Sequence, residues 1–164
     1  MFTALIKDNE ASHTFVDDLE SIFYVILWLV LIYSPSSMDP PDLTTFVQTV
    51  LDPAQYEGTG GSCKADFLMG HSALQHLKFD GQPSLQPLLM DLAILFAVRY
   101  EPEPSADQKQ VLIDFKESLS VLHYLYAWHY NTRLDFLKSH TRVIELLTRH
   151  IQTGQWPRND SANL

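Results

Sequence analysis

The chain has 164 residues, of which 46% are hydrophobic and 12% aromatic, and its formal net charge at pH 7 is −9. This length and apolar content are enough to bury one core, so the composition argues against disorder. The acidic balance excludes a sequence-independent phosphate-binding surface, and we expect no nucleic acid among the partners. A single cysteine, Cys63, excludes an intrachain disulfide framework, so we expect an intracellular protein of the cytoplasm or nucleus.

The first predicted helix begins near Thr14, whose hydroxyl suits an N-cap, and it carries Asp17 and Asp18 in its first turn. Residues 22–33, IFYVILWLVLIY, follow without a charge, glycine or proline. A run of 10–14 apolar residues is too short to span a bilayer and favours a helix buried on all sides, so we expect no membrane association. The helix should end before residues 34–35, because the residue preceding a proline avoids the helical region.

Further helical patterns follow in chain order, separated by proline- and glycine-containing breaks. They cover residues 42–51, 64–70, 72–79, 84–100, 105–130 with an internal break, and 139–153. Gly154 stands where a C-terminal cap is expected, and residues 154–164 are predicted to form an extended tail. Alternating strand patterns of useful length are absent from the sequence. We therefore predict an all-α fold of five to seven helices, with residues 1–164 forming one domain around a buried central helix.

The central helix also sets an energetic condition. If half of the twelve residues in 22–33 lacked cover, six large side chains at roughly 1.5–3 kcal/mol each would forfeit about 9–18 kcal/mol of burial energy. That loss equals the whole net stability of an ordinary domain, about 5–15 kcal/mol. The sequence therefore predicts that the later helices cover this helix completely in a closed bundle, that a protein partner covers it, or that the chain aggregates.

Four pieces of the sequence resemble the C-terminal lobe of protein kinases, most closely the fungal-type protein kinase family and more distantly casein-kinase-like sequences. The most specific is residues 13–28, HTFVDDLESIFYVILW, which is similar to the start of the large central helix of that lobe. The other three are residues 1–6 (MFTALI), similar to the segment closing the activation region, residues 60–68 (GGSCKADFL), similar to a GG-x-x-K-x-x-F-L element, and residues 156–160 (WPRND), similar to a closing WP-x-x-D. All four occur in the family's order.

The resemblance implies the helical C-terminal sublobe of a kinase-like fold and, for the family, ATP-dependent phosphorylation of protein serine and threonine. The kinase signature set, however, is missing from the sequence: no Gly-rich phosphate loop, strand lysine, H-R-D or D-F-G occurs. Residues 78–81 contain F-D-G, which is the wrong order. We therefore expect a partial, truncated or pseudokinase-like member that is inactive alone, with ATP and Mg²⁺ bound only in a full-length parent.

Asp18 is the residue that the resemblance singles out, with Asp17 as the alternative register. In the family, the aspartate at this helix start accepts hydrogen bonds from the backbone of the catalytic loop and supports that loop. From the residues alone, both acids fit first-turn carboxylates that stabilise the helix dipole by about 0.3–1 kcal/mol each. No catalytic, cofactor-binding or metal-binding residue is predicted.

A second hypothesis is a non-catalytic helical module that binds a protein partner over the central helix. Other chemistry has little support. Cys63 has no candidate base at a motif spacing, and the ring-rich residues 123–130 favour packing over a base-stacking platform. Two histidine pairs lack the i,i+4 spacing of a zinc site: His71 with His76, and His123 with His129.

Overall fold

The protein is all-α over the residues that its structure, a computed structural model, describes: 14–51 and 60–156. These ranges contain no β-strand, and their one extended pairing is an isolated antiparallel bridge between Ser36 and Phe79. The predicted all-α class is therefore confirmed, but the described residues contain nine helices where five to seven were predicted, and the kinase-like origin of the fold stays a prediction. The helices are α1 (Phe15–Tyr33), α2 (Pro40–Phe46, continued by a π-helical turn, Val47–Leu51), α3 (Gly60–Gly70), α4 (Ser72–Gln75), α5 (Leu85–Ala97), α6 (Ala106–Asp114), α7 (Leu119–Leu122), α8 (Tyr126–Leu137) and α9 (His140–Thr153).

Helix α5 lies at the centre of the described residues, packed against α1, α3, α4, α8 and α9. Most of its side chains are buried, and the large side chains Leu89, Leu92 and Phe96 are among the most completely enclosed in the core. The leucines recur at intervals of three and four, so they form an apolar stripe along one side of the helix, and the buried Ala93, Phe96 and Ala97 widen it. The sequence predicted the first helix as the central one, but in the structure α5 is the central helix.

Helix α1 packs on α5 and on the turn that follows α2 by one side only. Its inner side buries Phe23, Leu27 and Leu31, whose rings and branches join the main core. Of the outcomes that the sequence left open, complete cover of α1 by the later helices is not found within the described residues. The apolar composition of residues 22–33 does favour burial. The helices that follow, however, pack against α1 along one side only.

The long helical stretch predicted over residues 105–130 is broken into three helices, with α8 running beyond it. Ser105 caps α6, because its Oγ accepts from the Gln108 backbone N at 3.2 Å and its own N donates to Gln108 Oε1 at 2.8 Å. The helix then ends at Asp114, after which turns lead into the short α7. Val111, Ile113 and Phe115 are all largely exposed, so this segment has little tertiary packing to prolong a helix.

The helix predicted over residues 72–79 is shorter than expected. Only Ser72–Gln75 is helical, because the chain beyond it pairs with the residues that follow α1. The Ser37 backbone N donates to Lys78 O at 2.9 Å, and the Asp80 N donates to Pro35 O at 2.9 Å. Backbone hydrogen bonds that a longer helix would have satisfied are thus satisfied across the fold.

The last described residues fasten the end of α9 to the start of α5. Ser139 caps the start of α9, and Gly154 is its C-cap as predicted, with an extended backbone (φ −75°, ψ 154°). The Gln155 backbone N donates to Ser84 Oγ at 2.6 Å, and Trp156 Nε1 donates to His150 O at 2.8 Å. The Trp156 ring packs against the core. The rest of the tail, residues 157–164, lies outside the described residues, as do residues 1–13 and 52–59.

We predict that Gly154→Ala destabilises the fold by about 1–3 kcal/mol, the usual range for overpacking. A Cβ at this position would lie 2.5 Å from His150 O, 2.6 Å from Trp156 Nε1 and 2.8 Å from Ser84 Oγ, so the link between α9 and α5 would have to open. Urea unfolding followed by circular dichroism measures the change. Gly70→Ala is the matched control, because a Cβ there meets nothing within 4 Å; equal losses in the two variants would contradict the prediction.

Candidate functional site

The first turn of α1 is held by Asp17, one of the two acids that the resemblance singled out. Thr14 is the N-cap, and Asp17 Oδ2 accepts hydrogen bonds from the Thr14 backbone N at 2.7 Å and from its hydroxyl at 2.9 Å. Asp17 Oδ1 accepts from Arg99 Nη2 at 2.5 Å. The residue is 2% exposed, so both of its oxygens are occupied within the fold.

Arg99 joins α1 to the end of α5 through a second carboxylate, Glu20. This glutamate is fully buried and receives a charge-assisted hydrogen bond from Arg99 Nη1 to Oε2. The Tyr100 hydroxyl donates to Glu20 Oε1 at 2.6 Å. Asp17, Glu20, Arg99 and Tyr100 therefore form one buried polar cluster, which we call the Arg99 cluster, between helices that are about 80 residues apart in sequence.

The two carboxylates of the Arg99 cluster have opposite pKa shifts. For Asp17, burial acts to raise the pKa, but the hydrogen bonds from Thr14 and Arg99 outweigh it and leave the pKa below its ordinary value. For Glu20, burial prevails over the hydrogen bonds from Tyr100 and Arg99, and the pKa lies above its ordinary value. Burial also lowers the pKa of Lys64, whose Nζ lies 4.8 Å from the centre of the Tyr24 ring.

Asp18 lies on the opposite side of α1 from this cluster, and it is exposed. It shares that side with apolar residues, because positions 15, 18, 22, 25, 29 and 32 recur at alternating intervals of three and four, the spacing of one helix face. We call this side the outer face of α1. It consists of Phe15, Asp18, Ile22, Val25, Trp28, Leu29, Ile32 and Tyr33.

The outer face leaves six large apolar side chains between Ile22 and Tyr33 exposed, by 40% to 73%. Trp28 and Tyr33 pack edge to face, with their ring centres 6.3 Å apart. Beside the face is a pocket of about 260 Å³, lined by Ser21, Tyr24, Val25, Trp28, Leu51 and Lys64. Half of the twelve residues 22–33 are thus exposed, which is the condition under which the sequence predicts a large loss of burial energy.

The remaining sequence candidates form no site of their own. Within residues 14–51 and 60–156, no group of three or more His, Cys, Asp or Glu side chains could hold a metal ion, and no helix is long and apolar enough to cross a membrane. In the ring-rich segment, the Trp128 ring lies between two imidazoles, 4.9 Å from His123 and 5.0 Å from His129. Cys63 is a half-buried free thiol.

Sequence reasoning did not identify Glu20, Arg99 and Tyr100 as members of a cluster with Asp17. A signal existed in each half of the cluster. Glu20 falls three residues after Asp17 and three before Phe23, on the helix side that the core occupies, and a charge in such a position requires a partner. Arg99 directly follows the apolar pattern of α5. No local rule relates the two halves, because the pairing depends on how α1 crosses α5.

No family model matches the chain, and no curated protein or solved structure is significantly similar to it.

We predict that Arg99→Met destabilises the fold by about 3–5 kcal/mol, because it leaves Asp17 and Glu20 in the interior without their cation. Chemical unfolding measures the loss. Lys109→Met is the control, since it removes an ion pair with Glu103 whose two side chains are 48% and 71% exposed. A variant of Arg99 as stable as that control would show that the cluster contributes little.

We also predict that the contribution of Glu20 to stability, measured as the stability of the wild-type protein relative to Glu20→Gln, falls as the pH rises from about 4.5 towards neutrality. Because the folded-state pKa of Glu20 is raised, its contribution is fully present below the ordinary value of 4.5 and is lost as the pH rises through the folded-state value. Asp17, with a lowered pKa, loses its contribution only as the pH falls below its ordinary value of 3.8, outside this range. Glu20→Gln removes the titrating group and should flatten the dependence. Melting temperatures over this range test it, and parallel curves for the two proteins would refute it.

Proposed function

We propose that this chain forms the helical part of a kinase-like C-terminal lobe and takes part in protein phosphorylation only with a second polypeptide segment over the outer face of α1. The observation that carries the proposal is the position of Asp18 beside the exposed apolar side chains on that face. The resemblance predicts an acid at this helix start that receives a catalytic loop. An acid and an uncovered apolar surface on one side of the same helix suit such a segment.

The two registers that the sequence left open differ in burial. Asp17 is 2% exposed, and its oxygens accept from Thr14 and Arg99. Asp18 is exposed at the rim of the apolar surface. We therefore assign Asp18 the support of an incoming loop, and Asp17 the support of the helix start and of Arg99. Backbone N–H groups that approach Asp18 over a water-excluding surface would form charge-assisted hydrogen bonds.

The proposal assigns the chemistry to the second segment. Phosphoryl transfer depends on positioning the phosphates and on neutralising their charge with metal ions and cations. The sequence of this chain contains none of the kinase motifs for those tasks. On this proposal the second segment binds ATP and Mg²⁺. This chain supplies the helical surface against which that segment packs and becomes ordered.

The second candidate function is a non-catalytic module that binds a protein partner. The exposed apolar side chains from Ile22 to Tyr33 favour it, because a soluble monomer rarely leaves so continuous an apolar surface open. On this alternative, Asp18 is a helix-dipole acid with no loop to support.

The test of the first candidate is reconstitution. A polypeptide comprising the N-terminal part of an intact fungal-type kinase, through its H-R-D and D-F-G elements, is mixed with the 164-residue chain, and phosphate transfer from ATP to a serine/threonine peptide is measured. We expect no transfer by either component alone and measurable transfer by the mixture, because each lacks what the other supplies. Asp18→Asn should reduce the transfer about tenfold or more, the effect of a lost positioning group.

Asp107→Asn is the matched control, an exposed first-turn acid on α6. Transfer that is equal with Asn at position 18 and at position 107 would refute the role of Asp18. A mixture that associates through the outer face but transfers no phosphate would favour the non-catalytic module. ATP binding by the isolated chain, measured by calorimetry, would overturn both candidates.

A further inference from the structure

The outer face of α1 has the periodicity of a surface that packs against another helix. Its exposed residues Ile22, Val25, Leu29 and Ile32 are spaced by three, four and three, which is the a/d repeat of a helix–helix seam. Phe15 and Asp18 continue the same repeat towards the N-terminus. Trp28 and Tyr33 flank it, at the positions that border a seam. A helix laid along α1 would therefore insert its side chains between these residues in successive layers.

The seam is also self-complementary. If two copies of α1 run antiparallel about a two-fold axis at the level of residue 27, Ile22 lies opposite Ile32 of the other copy, and Val25 lies opposite Leu29. Every layer then pairs an apolar side chain with an apolar side chain, and no charge lies between the layers. A two-fold interface requires a patch of this kind, in which the same residues serve both subunits.

Asp18 selects the direction of the two helices. In a parallel pair the two Asp18 carboxylates would occupy one layer of the seam and repel each other in a poorly solvated position. In the antiparallel pair they are roughly 27 Å apart, the length of eighteen residues of helix. The antiparallel order also opposes the two helix dipoles and separates the two acidic first turns.

The area of the face is sufficient for a dimer. The six side chains from Ile22 to Tyr33 are about half exposed on average. They leave on the order of 600 Å² of mostly apolar surface on each chain. Two such faces bury on the order of 1,200 Å², which lies at the lower end of specific interfaces. That size falls within the range of weak or transient interfaces.

We infer that this chain forms an antiparallel homodimer in which the outer faces of two α1 helices pack against each other. A second copy needs no feature beyond those on the face itself, since the register, the charge placement and the area are each satisfied by the chain's own sequence. The inference goes beyond the proposed function. In the proposed function the outer face receives a catalytic segment, whereas in the dimer a second copy of the chain covers the same face. The dimer and the reconstituted complex are then mutually exclusive.

Sedimentation equilibrium of the full chain, from about 1 to about 200 µM, tests the association. We expect the mass to rise from 18.8 kDa towards twice that value. Ile22→Lys should weaken the dimer about tenfold or more, since the two-fold axis introduces two lysines into the seam. Ile144→Lys on α9 is the matched control, with a side chain 53% exposed against 51% for Ile22, and it should leave the dissociation constant unchanged.

Cross-linking tests the direction of the helices. In a Cys63→Ser background, chains with Val25→Cys are mixed with chains with Leu29→Cys and oxidised gently. The antiparallel dimer predicts disulfides between the two kinds of chain, whereas a parallel pair would join Val25→Cys chains to one another. Self-linked Val25→Cys chains would overturn the proposed geometry.

A monomer over the whole concentration range would overturn the dimer. The result is separate from the reconstitution. At chain concentrations below the dissociation constant of the dimer, absence of phosphate transfer would refute the proposed function alone. Transfer by a chain that stays monomeric up to about 200 µM would refute the dimer alone.

Discussion

The placement of α1 depends on one interaction, the contact of Arg99 with both Asp17 and Glu20. Each carboxylate is on the inner side of α1, where burial without a cation is unfavourable. Arg99 lies just past the end of α5 and reaches both of them, while Tyr100 satisfies a remaining oxygen of Glu20. The cluster therefore fixes how far α1 is displaced along α5 and which side of α1 faces inwards. Rotation of α1 about its axis would separate these charges and expose the core residue Phe23.

The same constraint creates the outer face. Residues 22–33 are apolar around the whole helix, so hydrophobicity alone does not choose which side is buried. The acids on the inner side make that choice by pairing with Arg99, and the opposite side is left with Asp18 and the exposed apolar residues. The buried ion pairs thus orient an apolar helix so that one apolar side stays exposed in a fixed direction. Both the proposed function and the inferred dimer use that surface.

Local sequence rules predicted the helices whose ends have clear signals. Ser139 and Gly154 bound the last helix, and the acidic first turn after Thr14 marks the start of α1. The rules failed where the chain is stabilised by distant residues. No sequence signal near Phe79 predicts its bridge to Ser36, so the helix predicted over residues 72–79 was too long. The prediction that α1, and not α5, is the central helix failed for the same reason. Both sequences are apolar enough for a central helix, and only the tertiary packing decides which of them is surrounded. Asp18 was singled out by the resemblance alone, whereas the exposure of its side of α1 and the Arg99 cluster both depend on how α1 crosses α5.

The contact between Gln155 and Ser84 bears on how the chain is made. Ser84 precedes the first residue of α5, and its hydroxyl is joined to a backbone N–H that is synthesised 71 residues later. The central helix is consequently complete long before the segment that closes its beginning leaves the ribosome. Until then its leucines have only part of their cover, an interval in which nascent chains are prone to associate with chaperones or with each other. The late closure of α5 therefore makes misfolding and aggregation a greater risk during synthesis than in the completed fold.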